Sequence, residues 1–273
     1  MNKIENFDQL SLEKQKLAKE QFEKYNLSNK NIESATFFKE NGWLRIKNFV
    51  DEKTADFLYH HIKNNAKRLL HIEQQTRVGM SNDEVEQYYG SFGDSQIPKC
   101  YSNYGNSTFD DLCDWGTSYV SYLTGINLVP TYSYHRLYTH NAELTRHKDR
   151  GSCEISTTLY LGSDISNLED KNYKWPMWVL DKKDNKFPID LDVGDMIVYR
   201  GCDLWHWREK FEGVNHAQVF LHYNEKDGEL NNTYDGRDVI GLPAKFKDGS
   251  LSKEVDFEKQ WADEKEKFKI VVE

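Results

Sequence analysis

The sequence predicts a mainly β protein with a helical N-terminal part, an α+β chain whose core is a β-sandwich or barrel braced by helices. Three observations predict it. Apolar residues recur at helical, three- and four-residue spacing over 11–25, after Asp51 and over 108–123, and from Leu128 the period changes to two. Several short strand-like runs then follow one another. The 273 residues, 38% hydrophobic and 14% aromatic, are enough to bury one sizeable core.

Over residues 11–25, Ser11 is a candidate N-cap, and Leu12, Leu17, Phe22 and Tyr25 form the apolar side of a packing helix. In residues 42–50, GWLRIKNFV, Leu44 and Ile46 alternate with Arg45 and Lys47, the pattern of a half-buried strand. Asp51 is placed to cap a helix bearing Ala55, Leu58, Ile62, Ala66 and Leu69. Residues 76–106, rich in Gly, Ser, Asn and Tyr, predict a long irregular segment and a candidate lid. A further helix is expected over 108–123, with Phe109, Leu112, Gly116, Tyr119 and Leu123 on one side.

From Leu128 the alternation places Tyr132, Tyr134, Arg136 and Tyr138 on one strand face, and Ser133, His135 and Leu137 on the other. Strands are expected over 153–161, 175–180, 195–200 and 217–223. Residues 245–273 are dense in Lys, Glu and Asp, with Phe257, Trp261 and Phe268 as anchors of a terminal helix. The expected layout is a single domain over 1–273. Residues 1–127 give helical support and the lid, 128–223 the strand core with its site, and 224–273 a C-terminal extension.

No apolar run approaches the roughly 18 residues that span a bilayer, and the first ten residues lack a signal-peptide core, so a cytoplasmic protein with no membrane partner is expected. Cys100, Cys113, Cys153 and Cys202 are widely spaced and form no C-x-x-C pair, which argues for reduced, buried thiols. A net charge of -9 opposes binding to a phosphate backbone, so no nucleic-acid partner is expected. Hydrolase signatures such as G-x-S-x-G and H-E-x-x-H are absent.

The chemistry rests on His147-Lys148-Asp149, followed 57 residues after the aspartate by His206. Two histidines and one carboxylate form the facial triad that binds Fe(II) and leaves coordination positions open. With nine histidines and 23 aspartates, about one His-x-Asp match is expected by chance, so context must carry the assignment. A second pair, His71-Ile-Glu73, ends a helical segment, where residues two apart diverge. His147 and Asp149 lie in extended sequence, where residues two apart point the same way. The third ligand then arrives from a neighbouring strand, behind the apolar run 194–200 and between Trp205 and Trp207.

Four ordered segments resemble the Fe(II)/2-oxoglutarate-dependent dioxygenases, in particular the prolyl-hydroxylase-like branch. These are 42–50 with its capped helix, Arg136-Leu-Tyr138, the strand ending Leu159-Tyr160-Leu161-Gly162, and Gly194-Asp195 leading to His206. Together they span residues 42–70 and 128–223. The resemblance implies a double-stranded β-helix, or jelly roll, with His147, Asp149 and His206 as catalytic iron ligands and 2-oxoglutarate as cosubstrate with O2. It implies ascorbate as a candidate reductant and Tyr138 and Tyr160 as residues approaching the cosubstrate. The implied activity is hydroxylation of an aliphatic C–H bond in a peptide or protein residue such as proline, or in a free amino acid or other small molecule. The competing class is a non-catalytic jelly-roll metal-binding module; the His-x-His pair typical of cupins is absent.

The sequence departs from the family where an Arg or Lys is expected nine to ten residues after the distal histidine, to hold the remote carboxylate of 2-oxoglutarate. Those positions are Asn215 and His216. A protonated His216, Arg208, Arg200 and Arg136 are the alternatives. Arg146 and Arg150 flank the metal pair and are candidates for contact with an anionic substrate or cosubstrate. The aromatics of 173–178 are either core or substrate wall.

Overall fold

The computed structural model describes residues 31–74 and 81–244. The expected helices over 11–25 and 245–273 lie outside the described residues. The remainder is two antiparallel sheets with helices on one side.

Helix α1 (Asn31–Asn41) leads into strand β1 (Trp43–Ile46). Helix α2 (Glu52–Glu73) begins at Asp51, whose carboxylate accepts from Thr54 N at 2.8 Å, as the sequence predicts. Its predicted apolar face, Ala55, Leu58, Ile62, Ala66 and Leu69, is buried. Helix α4 (Ser107–Thr124) carries a second such face. Between them the expected irregular segment is corrected: it contains helix α3 (Asn82–Tyr89) and strand β2 (Tyr101–Tyr104). The helix has a local cause in Ser81-Asn-Asp-Glu84, a capping box in which each end satisfies the other's backbone N–H.

The later strands are β3 (Leu128–Thr139), β4 (Leu144–His147), β5 (Ile155–Asp164), β6 (Met177–Leu180), β7 (Lys186–Ile189), β8 (Met196–Arg200), β9 (His206–Arg208) and β10 (Asn215–Glu225). One sheet runs β1-β8-β5-β10-β3-β2 and the other β4-β9-β6-β7. This is the jelly roll implied by the resemblance.

Strand β10 lies between β5 and β3, and its alternation divides the core. Ala217, Val219, Leu221 and Tyr223 join Ile62, Phe109, Val120 and Leu159 in the cluster beneath α2 and α4. Each fully buried Leu or Ile there contributes on the order of 1.5–3 kcal/mol of apolar transfer. His216, Gln218, Phe220 and His222 point the other way, into the space between the sheets. One face of this strand therefore stabilises, while the other carries polar groups.

Two buried carboxylates fix the ends of the sandwich. Gly194 turns the chain into β8 at φ +87, with Val50 O so close that a Cβ would clash, so only glycine fits. Asp195 then accepts from Asn48 N at 2.9 Å and Arg45 Nη2 at 2.6 Å, which holds β1 to the sheet. Asp110 of α4 pairs with Arg237 at 2.7 Å and also accepts from Ser133 and Gly241, so the post-β10 segment is pinned by a fully bonded buried ion pair. The four cysteines are free thiols, three of them buried, as expected. No described helix is long and apolar enough to cross a membrane.

Candidate metal centre

Strands β4 and β9 are neighbours, and their pairing places His147 directly opposite His206. The two imidazole centroids are 4.2 Å apart. Asp149, two residues past His147, is seated by its own N–H donating to Gly201 O at 2.9 Å. Its Oδ1 lies 3.5 Å from His147 Nε2 and 3.4 Å from His206 Nε2. Two ligands about 2.1 Å from a shared ion, at angles between a right angle and a tetrahedral one, lie roughly 3.0–3.4 Å apart, so these atoms suit one ion. Among the described residues, this trio is the one group of three or more His, Cys, Asp or Glu side chains close enough to share one. His71 and Glu73 sit exposed at the end of α2, outside any such group.

The histidines are set up as ligands. His147 Nδ1 lies 2.8 Å from Thr145 O, and His206 Nδ1 lies 3.0 Å from Leu204 O. A carbonyl only accepts, so each Nδ1 carries the proton and each Nε2 keeps its lone pair for a metal. The donor set fits Fe(II) as predicted. Burial alone would raise the Asp149 carboxyl pKa, but in the metal-free site hydrogen bonds from the protonated forms of His147 and His206 hold it well below the usual range. It is therefore an anion at neutral pH.

Sequence reasoning did not single out the residues behind the triad. Ser156 on β5 lies 2.7 Å from Asp149 Oδ2, and His222 Nδ1 lies 3.0 Å from the same hydroxyl. With the serine donating to the carboxylate, His222 Nδ1 donates to the serine, and the second carboxylate oxygen is fixed. Gly201 leaves room for this arrangement, since a Cβ there would collide with Asp149 Oδ2 and Ser156 Oγ. The alternation of 216–222 held the signal for His222, which shares a face with His216 and Gln218. Tyr199 of β8 closes over His206 edge-on, 4.8 Å between centroids.

The triad opens on a cavity of about 440 Å³ whose walls include Tyr132, Tyr134, Phe220 and His222. Arg136 lines it too but is neutralised, with Nη2 2.6 Å from Asp94 Oδ2 and Gln96 accepting a second bond. Tyr134 also donates to Asp94. The expected lid segment thus contributes Asp94 and Gln96 to the cavity wall. Arg150 is engaged by Asp235 through two bonds, and Arg200 faces Asp203 at 4.0 Å outside the cavity lining.

Arg208 differs from these arginines. Two residues after His206 on the same strand, it faces the same interior space, is 2% exposed and lines the metal cavity. Its Nη1 donates to Trp175 O at 2.5 Å, and its guanidinium lies 4.7 Å from the Trp175 ring. Among the described residues no carboxylate pairs with it. Burial pushes its pKa down to about 10. Tyr138, wholly buried with its ring edge-on to Trp175, has a hydroxyl with no partner among the described residues.

His216 and Tyr160 occupy the far end. Their rings stack at 4.4 Å and 5°, and both line a second cavity of about 530 Å³ on which Arg208 also borders. Tyr160 OH is bonded to Ser163 Oγ at 2.7 Å. Burial, together with the Arg208 charge, holds the His216 pKa well below its ordinary value. The protonated His216 entertained from sequence is therefore corrected: the imidazole is neutral, and Gln218 Nε2 donates to its Nε2 at 2.9 Å. Trp175 and Tyr173 pack with Phe211 as core rather than as walls of the metal cavity.

No family model matches the sequence, and no curated protein does. Solved structures match on shape. The chain has the jelly-roll fold of the Fe(II)/2-oxoglutarate-dependent oxygenases. EctD from S. alaskensis in its apoform aligns with TM-score 0.52 and 13% identity over 78% of this chain and 83% of that one; the same protein with bound Fe gives 0.50. The non-heme alpha-ketoglutarate-dependent epimerase SnoN from nogalamycin biosynthesis aligns with TM-score 0.50 and 12% identity, over 71% and 82%. A Pseudomonas putida prolyl-4-hydroxylase aligns at 0.49 and 12%, over 71% and 98%. At these identities the likeness is one of fold.

Proposed function

We propose that this protein is an Fe(II)- and 2-oxoglutarate-dependent oxygenase that hydroxylates an aliphatic C–H bond of a peptide or protein residue, proline being the first to test. The observation that carries the reading is Arg208. A buried guanidinium without a carboxylate is costly, and the drop of its pKa to about 10 corresponds to about 3 kcal/mol against the charged form. Such a charge is retained where an anion arrives to pair with it. Its place on the strand of His206 suits a dicarboxylate that reaches from the metal towards it.

In this reading His147, Asp149 and His206 hold the iron, and Arg208, with the unpartnered Tyr138 hydroxyl beside the Trp175 ring, receives the remote carboxylate. Bound iron and 2-oxoglutarate would together supply oxygen activation, with succinate and carbon dioxide as co-products. Ascorbate, as the reductant that keeps iron ferrous, belongs to the same proposal. The chain's own contribution is orientation and exclusion of water. Tyr199 shields His206, Ser156 and His222 steady Asp149, and Tyr132, Tyr134 and Phe220 wall the space where a substrate would sit. The volume of about 440 Å³, within the range of small-ligand sites, supports a second reading in which the substrate is a free amino acid or another small molecule.

Two measurements test the proposal in sequence. Calorimetric titration of 2-oxoglutarate into manganese-loaded protein without oxygen is expected to show one saturable site, which should weaken by about 100-fold in Arg208→Gln. Aerobic incubation with Fe(II), 2-oxoglutarate and proline peptides or free amino acids should then release succinate. A metal-loaded protein that binds no 2-oxoglutarate would overturn the reading.

A further inference from the structure

The wall of the metal cavity holds two oxidisable side chains in contact, and the proposed hydroxylation gives that contact no role. Tyr132 of β3 and Cys153, the last residue of the short 3-10 turn Gly151–Cys153, both line the cavity. They are 7% and 4% exposed, and Tyr132 OH lies 3.0 Å from Cys153 Sγ. A sulfur hydrogen-bonded to a phenol oxygen sits beside the ring carbon next to the hydroxyl, on the order of one van der Waals contact away. The backbone holds this approach, because Thr131 Oγ1 donates to Ser152 O at 2.7 Å and so ties the residues that precede each partner.

The ring is also held from its faces and edges. Tyr104 stacks on it at 4.6 Å and 28°, and the Arg150 guanidinium lies 4.7 Å from its centroid. His222 packs against it at 4.6 Å, and a line of contacts then runs to the triad, from His222 Nδ1 through Ser156 Oγ to Asp149 Oδ2. Burial raises the pKa of the Cys153 thiol and of the Tyr132 hydroxyl, so both keep their protons at neutral pH. A protonated thiol is a poor nucleophile for disulfide exchange, and Cys202 Sγ is turned to Arg150 O at 3.2 Å. Loss of hydrogen to an oxidant formed in the cavity is the chemistry that remains open to this pair.

We propose that Tyr132 and Cys153 are a site of self-modification, where turnover without substrate joins Cys153 Sγ to the Tyr132 ring carbon beside the hydroxyl as a thioether. In net terms the Cys153 S–H bond and one Tyr132 ring C–H bond break, and one S–C bond forms. The two electrons and two protons released reduce one oxygen atom of O2 to water, while the other atom enters succinate as 2-oxoglutarate loses carbon dioxide. The product ties β3 to the turn that begins two residues after Asp149, across a 21-residue separation. The inference rests on the oxygenase reading for its oxidant. Tyr223 and Cys113 supply an internal control: Tyr223 OH donates to Cys113 O at 3.1 Å, but the two lie in the apolar cluster beneath α4 rather than on the metal cavity.

The test is read by mass and by thiol count on the full-length protein. Metal-free protein is incubated aerobically with Fe(II) and 2-oxoglutarate and no substrate, and succinate is measured in the same sample. The expected result is a loss of two hydrogen atoms, about 2 Da, that dithiothreitol does not reverse, with one of the four thiols no longer titratable. Fragmentation of the digested protein should place the link between Tyr132 and Cys153. Tyr132→Phe and Cys153→Ala should each keep their full mass under the same treatment, as should the parent without oxygen or without 2-oxoglutarate. Succinate released with no change in mass would overturn the inference and leave the oxygenase reading standing, whereas no succinate and no change would overturn both. A mass loss that dithiothreitol reverses, a gain of one oxygen atom in place of the loss, or a link mapped to Tyr223 and Cys113 would also overturn it.

Discussion

The two ends of the space between the sheets are built differently. At the metal end every polar atom has a role before any ligand arrives: each histidine commits Nδ1 to a backbone carbonyl, and Asp149 commits one oxygen to Ser156 and turns the other towards both Nε2 atoms. At the far end Arg208 lacks a counter-charge, and neither Tyr138 OH nor Gln218 Oε1 has a partner among the described residues. The first end is preorganised for a cation, whereas the second is short of an anion. On the proposed reading, a metal ion fills the first end and a dicarboxylate completes the second.

The largest expected effect breaks the first end. His206→Ala removes one of three ligands, and the loss of iron affinity should be well over 100-fold, beyond the range typical of losing an outer hydrogen-bond partner. Equilibrium dialysis against Fe(II) or Mn(II) measures it. An unchanged affinity would remove the metal assignment. Arg208→Gln breaks the second end. It should leave metal affinity intact and weaken 2-oxoglutarate by about 100-fold, on the scale of removing one partner of a buried charge pair. The same variant should melt at a higher temperature than the parent in the absence of ligand, because it deletes an uncompensated buried charge. An Arg208 that is merely structural would give the opposite shift.

The two ends also differ in how much of each was legible in the sequence. The candidate metal trio was legible because an extended backbone makes a two-residue spacing convergent, and the α2 pattern set His71 and Glu73 apart by the same logic. The capped helix at Asp51, its buried face and the alternation of β3 and β10 followed from periodicity alone. The far end was not, because it depends on which charges cancel. Arg136 looks equivalent to Arg208 on paper until Asp94, 42 residues earlier, is seen to pair with it. Asp94 in turn sits in a segment read as irregular, where only the Ser81–Glu84 capping box announced regular structure. The short strands β2, β4, β7 and β9 are three to four residues long, too short for a period to register.

A pH profile sharpens the assignment of the far end. His216 has its folded pKa held well below 6.5, so it stays neutral from pH 6 to 8 and 2-oxoglutarate affinity should be flat there. An imidazolium acting as the carboxylate's partner would instead lose affinity as pH rises through 6.5, by up to tenfold per unit. The same depressed pKa acts on the fold with the opposite sense. Below pH 6.5 the unfolded chain takes up a proton that buried His216 refuses, so stability present at neutral pH is lost as the solution is acidified. His135, buried on the opposite face with its pKa pushed down to about 3, adds to the same acid loss, by about 2 kcal/mol at pH 5. Urea melts at pH 7 and 5, compared with His135→Leu, read this directly. The variant should lose part of the acid sensitivity.

The smallest effect tests whether the completeness of the metal end matters. Ser156→Ala keeps all three ligands and removes the hydroxyl between Asp149 Oδ2 and His222. Released from Ser156, the carboxylate can rotate, and the ordered Oδ1 placement is one of several. Iron affinity should fall about tenfold, the lower part of the range for outer-shell partners. Ser156→Thr, which retains the hydroxyl, should recover most of it if the added methyl fits beside Gly201. Metal affinity that is equal in parent and Ser156→Ala would mean that the seat formed by the Asp149 N–H and Gly201 O suffices, and that the preorganisation of this end lies in the backbone rather than in the Ser156–His222 pair.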